Sequence, residues 1–304
     1  MNDSRRTFLK TSALTIAATA IGSRYLFAVG KKNDTLGLQL YSVRDDMAKD
    51  PIGTLKQLSA MGYKYVEHAG YSDRKFYGIP AKEFKTHLDD LGLIMCSGHV
   101  QLTMNDWDAA KGDFTDKWKY TMEDARTAGQ RFLINPWMDE SLRKDYEGLL
   151  HFLDLFNKCG AICKKYGLRY GYHNHDFEFK TSFHGKKIFD IIVEKIDPSL
   201  VALQLDIGNM YGAGGRGLEI LKKYPGRFEL MHVKDEIKSD KGEMNDGYES
   251  TVLGQGILPV KQIIDYARQN GGTSYFIVEQ ESYQGKTPIE CAKDDLKVMK
   301  KWGF

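Results

Sequence analysis

Several apolar runs in the second half of the chain end on side chains that can bind a metal ion. Residues 201–205 stop at Asp206, and residues 228–231 stop at His232, with Gly208 and Lys234 just beyond. Residues 275–279 close on Glu279, and 169–173 on His173, followed by Asn174 and His175. A buried parallel strand is apolar on both faces, so its first strongly polar residue marks where it leaves the core and meets solvent or substrate. Carboxylates and imidazoles gathered at one rim are costly when unpaired, and a divalent cation resolves that conflict. Mixed oxygen and nitrogen donors suit manganese, zinc, cobalt or iron better than calcium. Residues two apart on a strand point the same way, so His173 and His175 share a face and either can supply that strand's donor. We expect one divalent ion on His175, Asp206, His232 and Glu279, leaving His173 for catalysis.

Such residues need a scaffold that brings strand ends to one side. Strand patterns fall at 36–41, 65–67, 94–96 continuing toward His99, 132–135, 169–173, 201–205, 228–231 and 275–279. Helical patterns fall between and after them, at 52–61, 81–91, 117–128, 142–166, 188–195, 218–224, 260–270 and 288–302. Gly62, Gly92 and Gly167 stand where helices end, and Pro80 opens one. Eight strand-then-helix units in about 270 residues predict an α/β fold, a single-domain (β/α)8 barrel over 31–304 with its chemistry at the C-terminal strand ends. The competing doubly wound sheet is disfavoured: no Gly-x-Gly-x-x-Gly follows an early strand.

The predicted rim then carries Gln39, Tyr41, Glu67, His68, His99, Asn135, Trp137, His173, His175, Asp206, His232, Lys234, Glu279 and Glu281. A sugar carbonyl and its neighbouring hydroxyl would chelate the ion, and a base would remove the proton between them. Glu67, His173 and His175 are candidates for that base, and Lys234, on the same face as His232, for steadying the developing oxyanion. We assign Glu67, His173 and Lys234 to catalysis, and Gln39, Tyr41, His99, Trp137 and Glu281 to substrate binding.

The segments Gly37-Leu-Gln-Leu-Tyr-Ser-Val-Arg-Asp, Tyr172-His-Asn-His-Asp-Phe-Glu-Phe, Leu205-Asp-Ile-Gly-Asn, Met231-His-Val-Lys-Asp and Val278-Glu-Gln-Glu together resemble the sugar phosphate isomerase/epimerase superfamily, the xylose-isomerase-like barrels. That resemblance implies one divalent metal, with Asp206, His232 and Glu279 as its last three ligands. The ketose epimerases of the superfamily place a ligand glutamate, also a base, where this chain has His173. The change removes one of the paired carboxylates that a two-base epimerase uses. His-Asn-His here looks more like the inosose-dehydratase branch, which works by elimination beside a metal-bound carbonyl. The expected activity is metal-dependent isomerisation or epimerisation of an unphosphorylated keto-sugar or 3-keto-glycoside, with elimination or hydration, or sugar binding without turnover, as alternatives.

Composition narrows the partners. Lysine and arginine number 43 against 41 acidic residues, so no basic excess advertises a nucleic-acid groove. An endonuclease-IV-like phosphodiesterase would need such a face and more histidines; a metal-assisted glycoside hydrolase is a further alternative. The four cysteines are irregularly placed and read as packing residues. In residues 1–30, Arg5 and Arg6 precede a short apolar run with no acidic residue after Asp3, which resembles a twin-arginine export signal. It implies a folded protein delivered to the periplasm or cell envelope, without a lasting membrane span. An exported protein meets free rather than phosphorylated sugars, and no glycine-rich phosphate cradle follows strands seven or eight. The charged, glycine-rich segment 236–256 suits a lid or a contact in a homo-oligomer.

Overall fold

A computed structural model describes residues 34–304. The twin-arginine expectation falls on residues outside them. Eight parallel strands close into a barrel: β1 (Thr35–Gln39), β2 (Tyr65–His68), β3 (Ile94–His99), β4 (Phe132–Asn135), β5 (Arg169–His173), β6 (Val201–Asp206), β7 (Phe228–Val233) and β8 (Tyr275–Val278). Each is followed by an outer helix: α1 (Pro51–Met61), α2 (Ala81–Asp90), α3 (Asp116–Thr127), α4 (Tyr146–Lys165), α5 (Ile188–Lys195), α6 (Gly217–Lys223), α7 (Val260–Tyr266) and α8 (Pro288–Lys301). No helix among the described residues is long and apolar enough to cross a membrane.

Departures from the sequence expectation have local causes. β1 stops at Gln39 because its side chain accepts the Tyr41 backbone N–H at 3.1 Å and turns the chain into a 3-10 turn. The helix expected from 142 begins at Tyr146, where Asp145 caps it by accepting the Gly148 N–H at 2.8 Å. Residues 267–271 leave the α-helix for a π turn closed by left-handed Gly272. The rim carries short hairpins that periodicity did not reveal, and segment 236–256 is largely one of them, pairing Asp235–Lys238 with Tyr248–Thr251.

The alternation of strand side chains stacks the barrel interior in layers. Cys96, Phe132, Ile134, Ala202, Leu230 and Ile277 form an apolar plug. Two residues further along their strands come His173, Gln204, His232 and Glu279, with Gln39 and Glu67 on the opposite wall. The switch from apolar to polar thus happens in one step of the strand repeat. Gly171 lies directly below His173, and a Cβ there would stand 2.5 Å from Ile134 Cδ1, so the missing side chain makes room for the plug.

The strands are seated from outside by α4. Gly160 faces the backbone leading into β6, and a Cβ on it would lie 2.7 Å from the Leu200 carbonyl oxygen and 2.9 Å from its carbon. Backbone cannot retreat as a flexible side chain can, so Gly160→Ala should cost roughly 1–3 kcal/mol in overpacking. A thermal melt followed by circular dichroism should show a decrease of about 2–10 °C. An unchanged midpoint would mean that α4 does not press on the root of β6.

Candidate metal centre and cavity

His173 and Asp206 are the last residues of β5 and β6, His232 is the penultimate residue of β7, and Glu279 follows β8. Register aligns Asp206 with His232 and His173 with Gln204. One donor atom from each of His173, Asp206, His232 and Glu279 lies within 4.8 Å of the others, and all four residues are buried. His232 Nδ1 is 3.0 Å from Glu279 Oε2 and 3.7 Å from Asp206 Oδ2, and His173 Nε2 is 3.9 Å from Asp206 Oδ2. Donors sharing an ion about 2.0–2.2 Å away must stand at such separations from one another.

Hydrogen bonds fix which nitrogen of each ring faces the centre. Glu67 accepts from His232 Nε2 at 2.6 Å, which turns the Nδ1 lone pair toward the two carboxylates. Gln204 Oε1 accepts from His173 Nδ1 at 3.1 Å, turning the Nε2 lone pair the same way, with the Asn209 amide nitrogen 3.3 Å from it. Asp206 Oδ1 accepts the Gly208 and Asn209 N–H groups at 2.8 and 2.7 Å, whereas the buried Oδ2 has no hydrogen-bond partner. Lone pairs and carboxylate oxygens therefore converge on one point, and a divalent cation fits them. Without it the proton does the same work: burial would lower the pKa of His232, but Glu279 and Glu67 hold it well above the ordinary value. Burial would raise Asp206, and His232 and Lys234 instead keep its carboxyl low.

Glu67 lies beneath the centre with no solvent exposure. It accepts from Gln39 Nε2 at 2.8 Å, Ser97 Oγ at 2.5 Å and Gln204 Nε2 at 2.9 Å as well as from His232, and His99 Nε2, which is 2.9 Å from Gln204 Oε1, stands 3.1 Å from it. Its lone pairs are committed, and it is not on the cavity wall. Glu67, expected as a base, is thus placed against His232 and away from the cavity wall. Gln39, expected at the substrate, is equally buried and serves Glu67. Lys234, expected to steady an oxyanion, is enclosed too. Its buried ammonium donates to Asn209 Oδ1 at 3.0 Å and to Glu281, with Glu243 Oε2 at 3.2 Å and Glu279 Oε2 at 3.9 Å. Burial would lower its pKa, but these carboxylates raise it, so it stays charged and enclosed.

Above the centre opens a cavity of about 400 Å³, within the size range of small-molecule sites. Tyr41, His99, His173, His175, Glu279 and Glu281 are on its wall. Trp137 is not; it stands behind His175, edge-on to the ring at 4.7 Å. His175, the expected fourth ligand, is outside the four-residue donor group, and His173 takes that place. The reason is that β5 ends at His173. The His175 N–H then donates to the Glu178 carboxylate at 3.0 Å, which swings its ring up onto the cavity wall, where the buried Nδ1 has no partner. Burial pushes the His175 pKa down to about 3, so its ring is neutral.

Sequence reasoning passed over Gln204, Asn209, Asn174 and Glu243. Gln204 was detectable, since it lies two residues before Asp206 on the same strand and so faces the same way. Asn174 Oδ1 accepts the Asp206 N–H at 3.0 Å and its Nδ2 donates to the Asp206 carbonyl at 3.1 Å, which ties β5 to β6. Glu243 comes from the rim hairpin, and nothing in the spacing of the chain points to it.

Residues 55–302 match the family described as xylose isomerase-like TIM barrel. An inosose dehydratase of Clostridium perfringens is 31% identical over 155 residues, 47% of this chain and 51% of that protein. The chain thus spans about half the length of the curated relatives it matches. A crystal structure of a sugar phosphate isomerase/epimerase from Parabacteroides distasonis is 26% identical with a TM-score of 0.74, covering 88% of this chain and 98% of that one. The IOLI protein, solved with a bound zinc atom, shares the fold at 15% identity and a TM-score of 0.65, over 88% of this chain and 97% of that one. With that match running from α1 to α8 over a closed eight-stranded parallel barrel, the chain belongs to the xylose isomerase-like TIM barrel family.

Proposed function

We propose that the protein is a metal-dependent lyase that removes water from an unphosphorylated keto-sugar or keto-polyol, beginning at the carbon beside the carbonyl. The observation that carries this reading is the convergence of His173 Nε2, Asp206 Oδ2, His232 Nδ1 and Glu279 Oε2 below a small polar cavity that also exposes a neutral imidazole. The similarity to inosose dehydratases supports elimination over the isomerisation or epimerisation expected first. So does the wall of the cavity. An epimerase needs a base on each face of the reacting carbon, and Glu67, the second carboxylate that the sequence offered, is locked under the centre. No lysine or arginine lines the cavity among the described residues, while Glu279 and Glu281 do, a setting that repels a phosphate group.

A bound divalent cation supplies Lewis-acid stabilisation of the negative charge that develops on the carbonyl oxygen. The His175 imidazole on the cavity wall takes the α-proton, and the electron pair of the broken C–H bond moves toward the carbonyl oxygen. The pair then forms the carbon–carbon double bond as the C–O bond to the β-hydroxyl breaks. The His175 imidazolium returns the proton to the departing oxygen, so water leaves and the neutral ring is restored. Glu67 and Gln204 hold the rings of His232 and His173 in the tautomers that face the centre, and Tyr41 and His99 wall the substrate in.

Two measurements test the centre and the chemistry separately. In metal titrations of the full chain, Glu67→Gln should weaken affinity roughly 10- to 100-fold, the usual cost of losing a carboxylate that orients a ligand histidine. Asp206→Ala should abolish stoichiometric loading as read by elemental analysis. Retention of a full metal equivalent by Asp206→Ala would overturn the centre. In heavy water, metal-loaded protein given a panel of keto-polyols and keto-sugars should place deuterium beside the carbonyl and yield a product lighter by one water. His175→Gln should reduce that rate roughly 10²- to 10⁴-fold while keeping its metal, the range typical of a lost general base. A product of unchanged mass with α-exchange would restore isomerisation, and no exchange with any substrate would remove the reaction altogether.

A further inference from the structure

The cavity over the donor cluster does not end at its own wall. A second hollow of about 880 Å³, more than twice the volume, continues from it between the hairpin after β2 and the start of α3. Tyr71, Val100 and Gln101 belong to both, so the two spaces meet there. Its shape is fixed from one side by ion pairing. Arg74 donates to Asp124 through Nη2 at 2.9 Å and Nε at 3.1 Å, the Tyr71 hydroxyl donates to Asp124 Oδ2 at 2.8 Å, and the Arg74 guanidinium lies 4.4 Å from the centre of the Tyr120 ring. The hairpin is thereby clamped to α3.

The lining is amphipathic in a particular way. Tyr71 and Tyr120 present aromatic surface, with Tyr120 43% exposed, the side chains of Ser72, Gln101 and Asn105 carry hydroxyl and amide groups at the exposed edges, and Asp73, Arg74, Asp106 and Lys117 add charges of both signs. Aromatic faces beside neutral donors and acceptors suit a sugar ring, which has apolar C–H faces and an equatorial rim of hydroxyls. A single keto-sugar over the cluster would leave the larger hollow to water. We propose that the substrate is a two-ring glycoside, with the carbonyl-bearing ring over the donor cluster and the second ring in this groove. The inference rests on the reading of the first cavity as the place where a keto-sugar reacts, and it restricts that substrate to the glycosidic class.

Calorimetric titration of the metal-loaded full chain with carbonyl-free sugars reads the groove without turnover. Against methyl glucoside as the one-ring probe, at least one of cellobiose, maltose and trehalose should bind about tenfold more tightly, as one aromatic contact and its hydrogen bonds would supply. Tyr120→Ala should cancel that gain and leave methyl glucoside unaffected. Asn105→Trp, which fills the groove instead of emptying it, should do the same, so the result does not hang on one substitution. Equal affinity for one and two rings, or a gain untouched by both variants, overturns the groove as a sugar subsite. α-Deuteration of a free keto-sugar is a separate readout: if it proceeds while the disaccharides show no gain, the reaction stands and the groove falls.

Discussion

One buried carboxylate organises the upper half of the barrel. Glu67 sits on the barrel axis without solvent, where an anion lacking partners would cost several kcal/mol. It accepts from four side chains on β1, β3, β6 and β7, and burial would raise its pKa while His99 and His232 bring it down instead. The donors that satisfy it are the groups that orient the centre: His232 directly, and His173 through Gln204, whose amide nitrogen serves Glu67 while its oxygen serves His173. Removing the carboxylate's charge would therefore loosen two ligand positions at once. A neutral residue at 67 would satisfy the local packing but would not select the tautomers.

Charge balance extends the same logic outward. Asp206, Glu279, Glu281 and Glu243 crowd the rim, and Lys234 is the buried cation among them. Fixing its ammonium between Asn209 and three carboxylates leaves no free proton donor for the substrate, yet against the upward pull of burial it helps hold the Asp206 and Glu243 carboxyls below their ordinary values. The rim hairpin joins this network through Glu243, so the segment that the sequence marked as a mobile lid or an assembly surface is tied to the centre by a buried ion pair. Asp235 reinforces it by accepting the N–H groups of Gly254, Gly256 and Leu258 at 2.8, 3.0 and 3.1 Å.

The division of labour on β5 follows from where that strand ends. His173 is the last residue held by the sheet and points inward with its neighbours on β6 and β7. His175 is held instead by Glu178 of the following helical turn, and its ring lines the cavity with a buried, unpartnered Nδ1. Two histidines of one motif thus stand in different places: one is built into the donor cluster, and the other is held on the cavity wall, where burial keeps its ring neutral.

The sequence by itself determined the barrel and the rim. Eight apolar runs alternating with amphipathic helices leave few other ways to bury their surfaces, and the first polar residue after each run marks where the strand leaves the plug, which is how Asp206, His232 and Glu279 were recognisable. Gln204, which the sequence reading passed over, lies on the same two-residue repeat. Only the tertiary structure gathered His173 and not His175 into the donor group, placed Glu67 against His232 and away from the cavity wall, and enclosed Lys234. The physical reason is common to all three: strand periodicity says which way a side chain points, but whether it meets solvent, a ligand or another buried charge depends on partners from strands far away in sequence, and those meet only when the barrel closes.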